Sequence, residues 1–250
     1  MKILFVITTY NQSFYTKLCL ESLMLIDNLN IDILVIDDCS TDGTKNICKN
    51  FNIKFLGKDR PCGLTDSWNI GYQYFKKNKY DILILSNNDI LLPKYSLYEM
   101  ISISIESPII CPLSNRKGIG NRKWQSVHEY YPFSKQFVDD QSNYQLVQKQ
   151  IYDLNENRLN ELSPIRMKKF SGFFFLMNKE IEKFEYSKDF LFDPSKINVG
   201  NEDELNDRVL KGGSYSLLCK KAFVYHFKGV SFMGDLDDER NDLSRYHEID

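Results

Sequence analysis

The sequence predicts an α/β fold in which parallel strands alternate with helices, and two observations carry that reading. In the first hundred residues, short β-branched runs at 3–7, 31–36, 54–56 and 81–85 alternate with amphipathic stretches at 14–25, 44–50 and 64–75. Strands joined by helical connections pair in parallel through right-handed crossovers. At 250 residues and 42% hydrophobic, the chain can bury one sizeable core without disulfides or a structural metal.

The opening Met-Lys-Ile-Leu-Phe-Val-Ile is too short for a signal-peptide core and runs straight into a turn, so it reads as the first strand. No apolar run approaches the roughly 18 residues of a membrane span, the densest being 173–177. A soluble, cytoplasmic protein without a transmembrane segment is expected. The net charge of -2 supplies no basic field for nucleic acid. The six cysteines form no C-x-x-C pair and read as reduced thiols. After the regular first part come polar and aromatic loops at 114–133 and a charged helical stretch at 136–161. Apolar strands at 169–178 and 222–225 bracket an acidic helix that starts near Asn201, and the acids at 235–239 read as a solvated tail.

The chemistry-bearing residues gather where strands end, the usual ligand address of such sheets. The run 33–36 ends in Asp37-Asp38-Cys39-Ser40-Thr41-Asp42-Gly43. Ser, Thr and Asp ahead of a helix are ordinary capping residues, which accounts for Ser40 to Asp42. Two adjacent carboxylates repel each other unless something partners them, so Asp37 and Asp38 are read as ligand-binding. The run 82–85 leads into Ser86-Asn87-Asn88-Asp89, an oxygen-rich tip suited to a hard divalent cation. A third cluster, Gly200-Asn201-Glu202-Asp203-Glu204, crowds acids into the first turn of a helix. They complement the helix dipole, and one of them is a candidate general base. His226 follows an apolar strand, where neutral imidazole can ligate a metal; His128 and His247 have no comparable setting. Trp124, Tyr130, Tyr131 and Phe133 interleave with Arg116, Lys117, Arg122 and Lys123, a mixture suited equally to a surface that binds ring faces and anionic groups or to a satellite core.

Taken in order, these features resemble the inverting family 2 glycosyltransferases. The resemblance rests on Thr8-Thr9-Tyr10-Asn11, on the Val35-Ile36-Asp37-Asp38 run through Thr44, and on the glycine-asparagine stretch from Gly63 to Asn69 and Gly71. It continues in Asn87-Asn88-Asp89 at the place of the family's D-x-D motif, in Phe170-Ser171-Gly172-Phe173, in Glu202-Asp203, and in His226, Gly229 and Ser231. It implies a GT-A fold, a Rossmann-like mixed central sheet with helices on both faces. One domain is expected, with a nucleotide-sugar-binding half (1–105), an acceptor-binding half (106–235) and a C-terminal tail (236–250).

The resemblance further implies transfer of a sugar from a nucleotide-diphosphate-sugar to a hydroxyl of a glycan or glycoconjugate, by one in-line displacement with inversion. Thr8, Tyr10, Asn11, Asp37, Asp38, Gly63, Asn69, Asn87 and Asn88 are then donor contacts, and Asp89 with His226 holds a divalent metal, Mn or Mg. Gly172, Phe173 and Trp124 fall on the acceptor side, and Asp203 or Glu202 takes the acceptor proton. Anchoring on Arg208 selects Glu202 as the base; anchoring on the Glu-Asp pair itself selects Asp203, the first expectation.

One departure concerns the metal, because Asn87 stands where the D-x-D motif has a carboxylate. A catalytically inactive sugar- or nucleotide-binding module is the rival reading it raises. A nucleotidyltransferase would carry a glycine-rich basic loop where Thr8-Thr9-Tyr10-Asn11 stands. A dinucleotide-binding dehydrogenase would need an early G-x-G-x-x-G, and Gly118-Ile119-Gly120 comes too late and lacks the third glycine.

Overall fold

A computed structural model describes residues 1–115, 125–131, 140–157 and 163–227. Nine strands among them form one sheet, ordered β3-β2-β1-β4-β8-β6-β9-β5, with β7 also on β9. Strands β1 (Ile3–Thr9), β2 (Ile31–Asp37), β3 (Lys54–Gly57) and β4 (Ile82–Asn87) are mutually parallel. Helices α1 (Ser13–Leu23), α2 (Thr44–Asn50) and α3 (Leu64–Lys77) connect them, which is the alternation read from the sequence. Strand β8 (Phe174–Asn178) runs antiparallel to β4 and to β6 (Ile109–Ser114), and β9 (Ser216–His226) runs parallel to β6. The short β5 (Ile90–Leu91) and β7 (Ile165–Met167) lie antiparallel to β9.

Alternation along the strands divides the core between the two faces of the sheet, as a period of two requires. Leu4 and Val6 point to one side, with Trp68, Tyr72 and Phe75 of α3, Val147 and Ile151 of α5 (Tyr144–Asn157), and Leu205 and Val209 of α6 (Asn201–Lys211). Ile3, Phe5 and Ile7 point to the other, with Cys19, Leu20 and Leu23 of α1, Cys48 of α2, and Leu97 and Met100 of α4 (Ser96–Ser102). The sheet is mixed and covered on both faces.

Two elements that the sequence reading passed over matter for the site. Pro112 lies inside β6, where a missing N–H usually disqualifies a strand; a register shift between Pro112 and Leu113 on the β9 side accommodates it. The two residues of β5 pair with the end of β9, with Ile90 opposite His226. The helix expected over 136–161 is described as α5, preceded by a 3-10 turn at Gln141–Asn143. The acidic tail and Trp124 lie outside the described residues. No helix among the described residues is long and apolar enough to cross a membrane.

Candidate active site

Strand directions bring the candidate residues to one edge of the sheet. The carboxyl ends of β1 (Thr9), β2 (Asp37), β4 (Asn87) and β9 (His226) all lie there, together with the amino ends of antiparallel β8 and β5. Chain separation then ceases to matter, because residues 8–11, 37–42, 87–89, 172–173 and 226 occupy one rim.

Asp89 and His226 meet because β5 pairs with β9. The Phe227 backbone N–H donates to the Asp89 carbonyl at 2.9 Å, and the His226 Nε2 lies 3.2 Å from Asp89 Oδ1. The Asp89 side chain is buried and that of His226 is largely so. The imidazole is flattened against Phe173, with ring centroids 4.7 Å apart and planes 12° apart. Its backbone N–H donates to Asn115 Oδ1 at 2.8 Å. Phe173 therefore fixes the plane of the imidazole and is itself buried; its carbonyl also accepts the Asn87 N–H at 2.9 Å.

Gly172 sits one residue before Phe173. A Cβ there would lie 2.7 Å from Trp68 Cη2 and 3.3 Å from the Glu202 carboxyl carbon, so the missing side chain lets Glu202 close onto the start of β8. Asp203 turns elsewhere, with its Oδ2 3.8 Å from Lys169 Nζ. Arg208, one of the two register anchors, grips Glu204 through two 2.7 Å bonds and holds the Leu191 carbonyl at 2.6 Å, which fixes α6 against the chain before it. Asn201 donates to Thr65 Oγ1 at 2.9 Å and ties the start of α6 to the start of α3.

At the other end of the rim, the two adjacent acids have found partners. Asp37 is buried and accepts from both the N–H (3.0 Å) and the hydroxyl of Ser40. The Ser40 Oγ in turn accepts the Asn11 N–H at 2.6 Å. Asn11 Oδ1 accepts the Thr41 N–H at 2.9 Å, and Asp42 accepts from Ser13 N–H at 2.7 Å and Thr44 N–H at 2.9 Å. The acid placed to cap α2 thus also caps α1. Burial pushes the Asp42 carboxyl up, but the Thr44 and Ser13 donors outweigh it and hold the group below the usual carboxylate range.

Several residues expected to touch the donor are occupied within the protein. Asn88 is buried and donates to Thr9 Oγ1 (3.1 Å), Thr16 Oγ1 (3.0 Å) and the Asn11 carbonyl (3.4 Å), so it staples the loop after β1. Asn69 accepts the N–H groups of Leu191 (3.0 Å) and Phe192 (2.9 Å) and donates to the Phe192 carbonyl (3.0 Å). Thr8 is buried and donates to the Ser86 carbonyl at 3.3 Å. Tyr10 is 41% exposed on the rim.

Gly63 heads α3 with φ +88° and ψ 175°, a region open to glycine alone. A Cβ there would stand 2.4 Å from Ile197 Cγ2 and 2.9 Å from its carbonyl oxygen, because the 197–198 segment caps α3 from outside: Leu64 N–H donates to Asn198 Oδ1 and Thr65 N–H to the Ile197 carbonyl, each at 3.0 Å. Gly63→Ala is expected to cost about 2–3 kcal/mol, lowering Tm by roughly 5–10 °C in a thermal melt; an unchanged Tm would show that the loop yields freely. Cys39, by contrast, is a non-glycine residue at φ 71°. Cys39→Gly relieves a left-handed conformation worth about 1–2 kcal/mol and gives back about 0.5–1 kcal/mol of chain entropy. A net gain of up to about 1 kcal/mol, or roughly 2–4 °C in Tm, is expected; a fall would mean the thiol makes a contact that outweighs the strain.

Lys58 is the residue sequence reading missed. Its Nζ reaches Asp38 Oδ1 at 2.9 Å and Asp66 Oδ2 at 2.8 Å. The available signal was a lysine just past a strand that pairs with the strand ending in Asp37-Asp38.

A divalent ion fits the Asp89–His226 pair. Two cis ligands on an octahedral cation with bonds of about 2.1–2.2 Å stand about 3.0 Å apart, close to the 3.2 Å between Nε2 and Oδ1. One carboxylate oxygen and one imidazole nitrogen suit a borderline cation such as Mn. Among the described residues no group of three or more His, Cys, Asp and Glu could hold a metal, so the remaining ligands would come from substrate oxygens and water.

The sequence profile of glycosyl transferase family 2 matches residues 4–182. No curated protein matches the sequence. Among solved structures, the chain is similar to the mannosyltransferase PcManGT from Pyrobaculum calidifontis, in complex with GDP-Man and Mn2+, with TM-score 0.60 and 12% identity over 90% of this chain and 56% of that one. It is similar to S. aureus TarS 1-349, with TM-score 0.57 and 17% identity over 94% and 63%. It is also similar to GalNAc-T7 with UDP, GalNAc and Mn2+, with TM-score 0.63 and 18% identity over 90% and 44%. The chain thus spans about half the length of these proteins, and what it shares with them is the GT-A fold.

Proposed function

The chain belongs to glycosyl transferase family 2, and from that premise we propose that it transfers a glycosyl group from a nucleotide-diphosphate-sugar to an acceptor hydroxyl with inversion. The observation that carries the reading is a continuous run of neighbours, from Glu202 beside Gly172, along the chain to Phe173, and on through His226 to Asp89. It joins a carboxylate suited to proton removal to a pair suited to a cation on a leaving diphosphate.

The donor side is the rim of residues 1–105. Asp38 is the better nucleoside contact of the two acids, since Asp37 is buried beneath Ser40. Asn11, Gly63 and exposed Tyr10 frame the same place, while Thr8, Asn69 and Asn88 shape it from beneath. Asp89 and His226 would hold the divalent ion, which supplies Lewis-acid neutralisation of the leaving diphosphate. Glu202 is preferred to Asp203 as base, because its carboxyl abuts Gly172 whereas Asp203 turns to Lys169. As the acceptor oxygen bonds to the anomeric carbon, the bond to the diphosphate breaks on the opposite face and the acceptor proton passes to Glu202. Residues 106–235 supply the acceptor side, with Gly172 at its floor.

Asn87 in place of a carboxylate favours a second reading, a binding module without turnover. Incubation with a panel of nucleotide-sugars and Mn, monitoring nucleoside diphosphate release and thermal shift, separates them. Release from one nucleotide-sugar supports the transferase, and binding without release, with every acceptor class tried, supports the module. Neither binding nor release with any member of the panel would overturn both.

A further inference from the structure

We propose that Lys58 is a positioning residue for the nucleoside: it holds Asp38 and the Gly63 loop in the arrangement that receives the donor, without touching the donor itself. The inference rests on the transferase reading above. Lys58 follows β3, and its N–H continues the ladder to the Asp37 carbonyl at 2.9 Å, which sets its side chain on the tip of β2. There the side chain is only 6% exposed. It donates to Asp38 Oδ1 (2.9 Å) and to the Gly63 carbonyl (3.2 Å), and it forms an ion pair with Asp66 Oδ2 in the first turn of α3 (2.8 Å). The ammonium is thus occupied by three oxygens of the protein itself, two of them carboxylates on separate elements.

Asp38 is held as completely on one side. Its Oδ1 also accepts the Cys62 N–H at 2.8 Å and its Oδ2 the Gly63 N–H at 2.9 Å. A carboxylate offers about four acceptor positions, and three are filled from the β3–α3 loop. The fourth, on Oδ2, remains for a ribose hydroxyl. Burial pushes the Asp38 carboxyl up, but the Cys62 N–H, the Lys58 ammonium and the Gly63 N–H prevail and hold it below the usual carboxylate range. Asp38 thus stays an acceptor down to low pH.

The test measures nucleoside diphosphate affinity against pH, with UDP and GDP in the absence of metal so that protonation of His226 does not enter the acid limb, for the wild type, Lys58→Met and Lys58→Arg. Lys58→Met is expected to weaken binding about tenfold or more, and to raise the acid limb of affinity toward the ordinary carboxylate pKa, because the ammonium no longer favours the ionised form. A purely structural role would lower Tm and leave that limb in place. Lys58→Arg keeps the charge, but a planar fork cannot serve three acceptors converging on one nitrogen. It is expected to fold and to bind about three- to tenfold more weakly; wild-type affinity in this variant overturns the proposal even if Lys58→Met does not fold. Wild-type affinity and an unmoved acid limb in Lys58→Met overturn it as well. Absence of wild-type binding to UDP, GDP and every nucleotide-sugar of the panel above would instead overturn the transferase reading on which it rests.

Discussion

Glu202→Gln is expected to lower kcat by about 10²–10⁴-fold, the usual contribution of a positioned general base, while leaving nucleoside diphosphate affinity near that of the wild type. The substitution keeps size and shape, so Trp68 and Gly172 retain the neighbour they pack around, and it removes only the capacity to take a proton. A loss in kcat and kcat/KM together, with donor affinity preserved, is the signature of an interaction made in the transition state. Asp203→Asn is the matched control one residue along the same helix turn. Its carboxylate faces a partly exposed lysine at 3.8 Å, an interaction of the kind worth less than about 1 kcal/mol, so its effect on kcat should stay within about fivefold. The two variants therefore separate the two registers that the sequence permits. If Asp203→Asn loses turnover and Glu202→Gln keeps it, the base is Asp203 and α6 must rotate when substrate binds.

That ambiguity marks the boundary between what local sequence signals determine and what distant partners determine. The first half was legible because its signals are local. Period-two and period-3.6 patterns alternate cleanly through residue 87, and α2 begins and ends at the expected residues. In the second half the signals interfere. Pro112 disguises β6, the lysines at 220 and 221 interrupt the apolar run of β9, and β5 and β7 have two and three residues. The site was legible as a set of strand-end residues but not as a set of roles, since a role depends on partners far away in the chain. Asn69 looks like a binding amide until the N–H groups of Leu191 and Phe192 occupy it. Asp37 and Asp38 look unpartnered until Ser40 and Lys58 approach. Glu202 has room beside the start of β8 only because Gly172, thirty residues upstream, carries no side chain.

Asp89→Ala is expected to abolish the coupling between metal and nucleotide. If Asp89 and His226 hold the metal as proposed, the protein contributes one carboxylate and one imidazole, too few to retain a divalent ion unaided at modest concentration. Mn alone and nucleoside diphosphate alone should each raise Tm little, whereas the two together complete a coordination sphere and bind only the folded state. At a ligand concentration of about 100 Kd that linkage contributes about 2.7 kcal/mol, or roughly 5–10 °C for a chain of this size. Removing Asp89 leaves His226 as the single protein ligand, so the joint shift should fall to the sum of the two separate ones. Asp89 also lies 3.2 Å from Nε2 of His226 in a buried setting, so the variant loses a contact of the unliganded protein as well, and its baseline Tm must be measured first. The quantity that decides is the excess of the joint shift over that sum. An excess that survives in Asp89→Ala would move the metal off the β5–β9 junction and leave the 3.2 Å contact as a structural hydrogen bond.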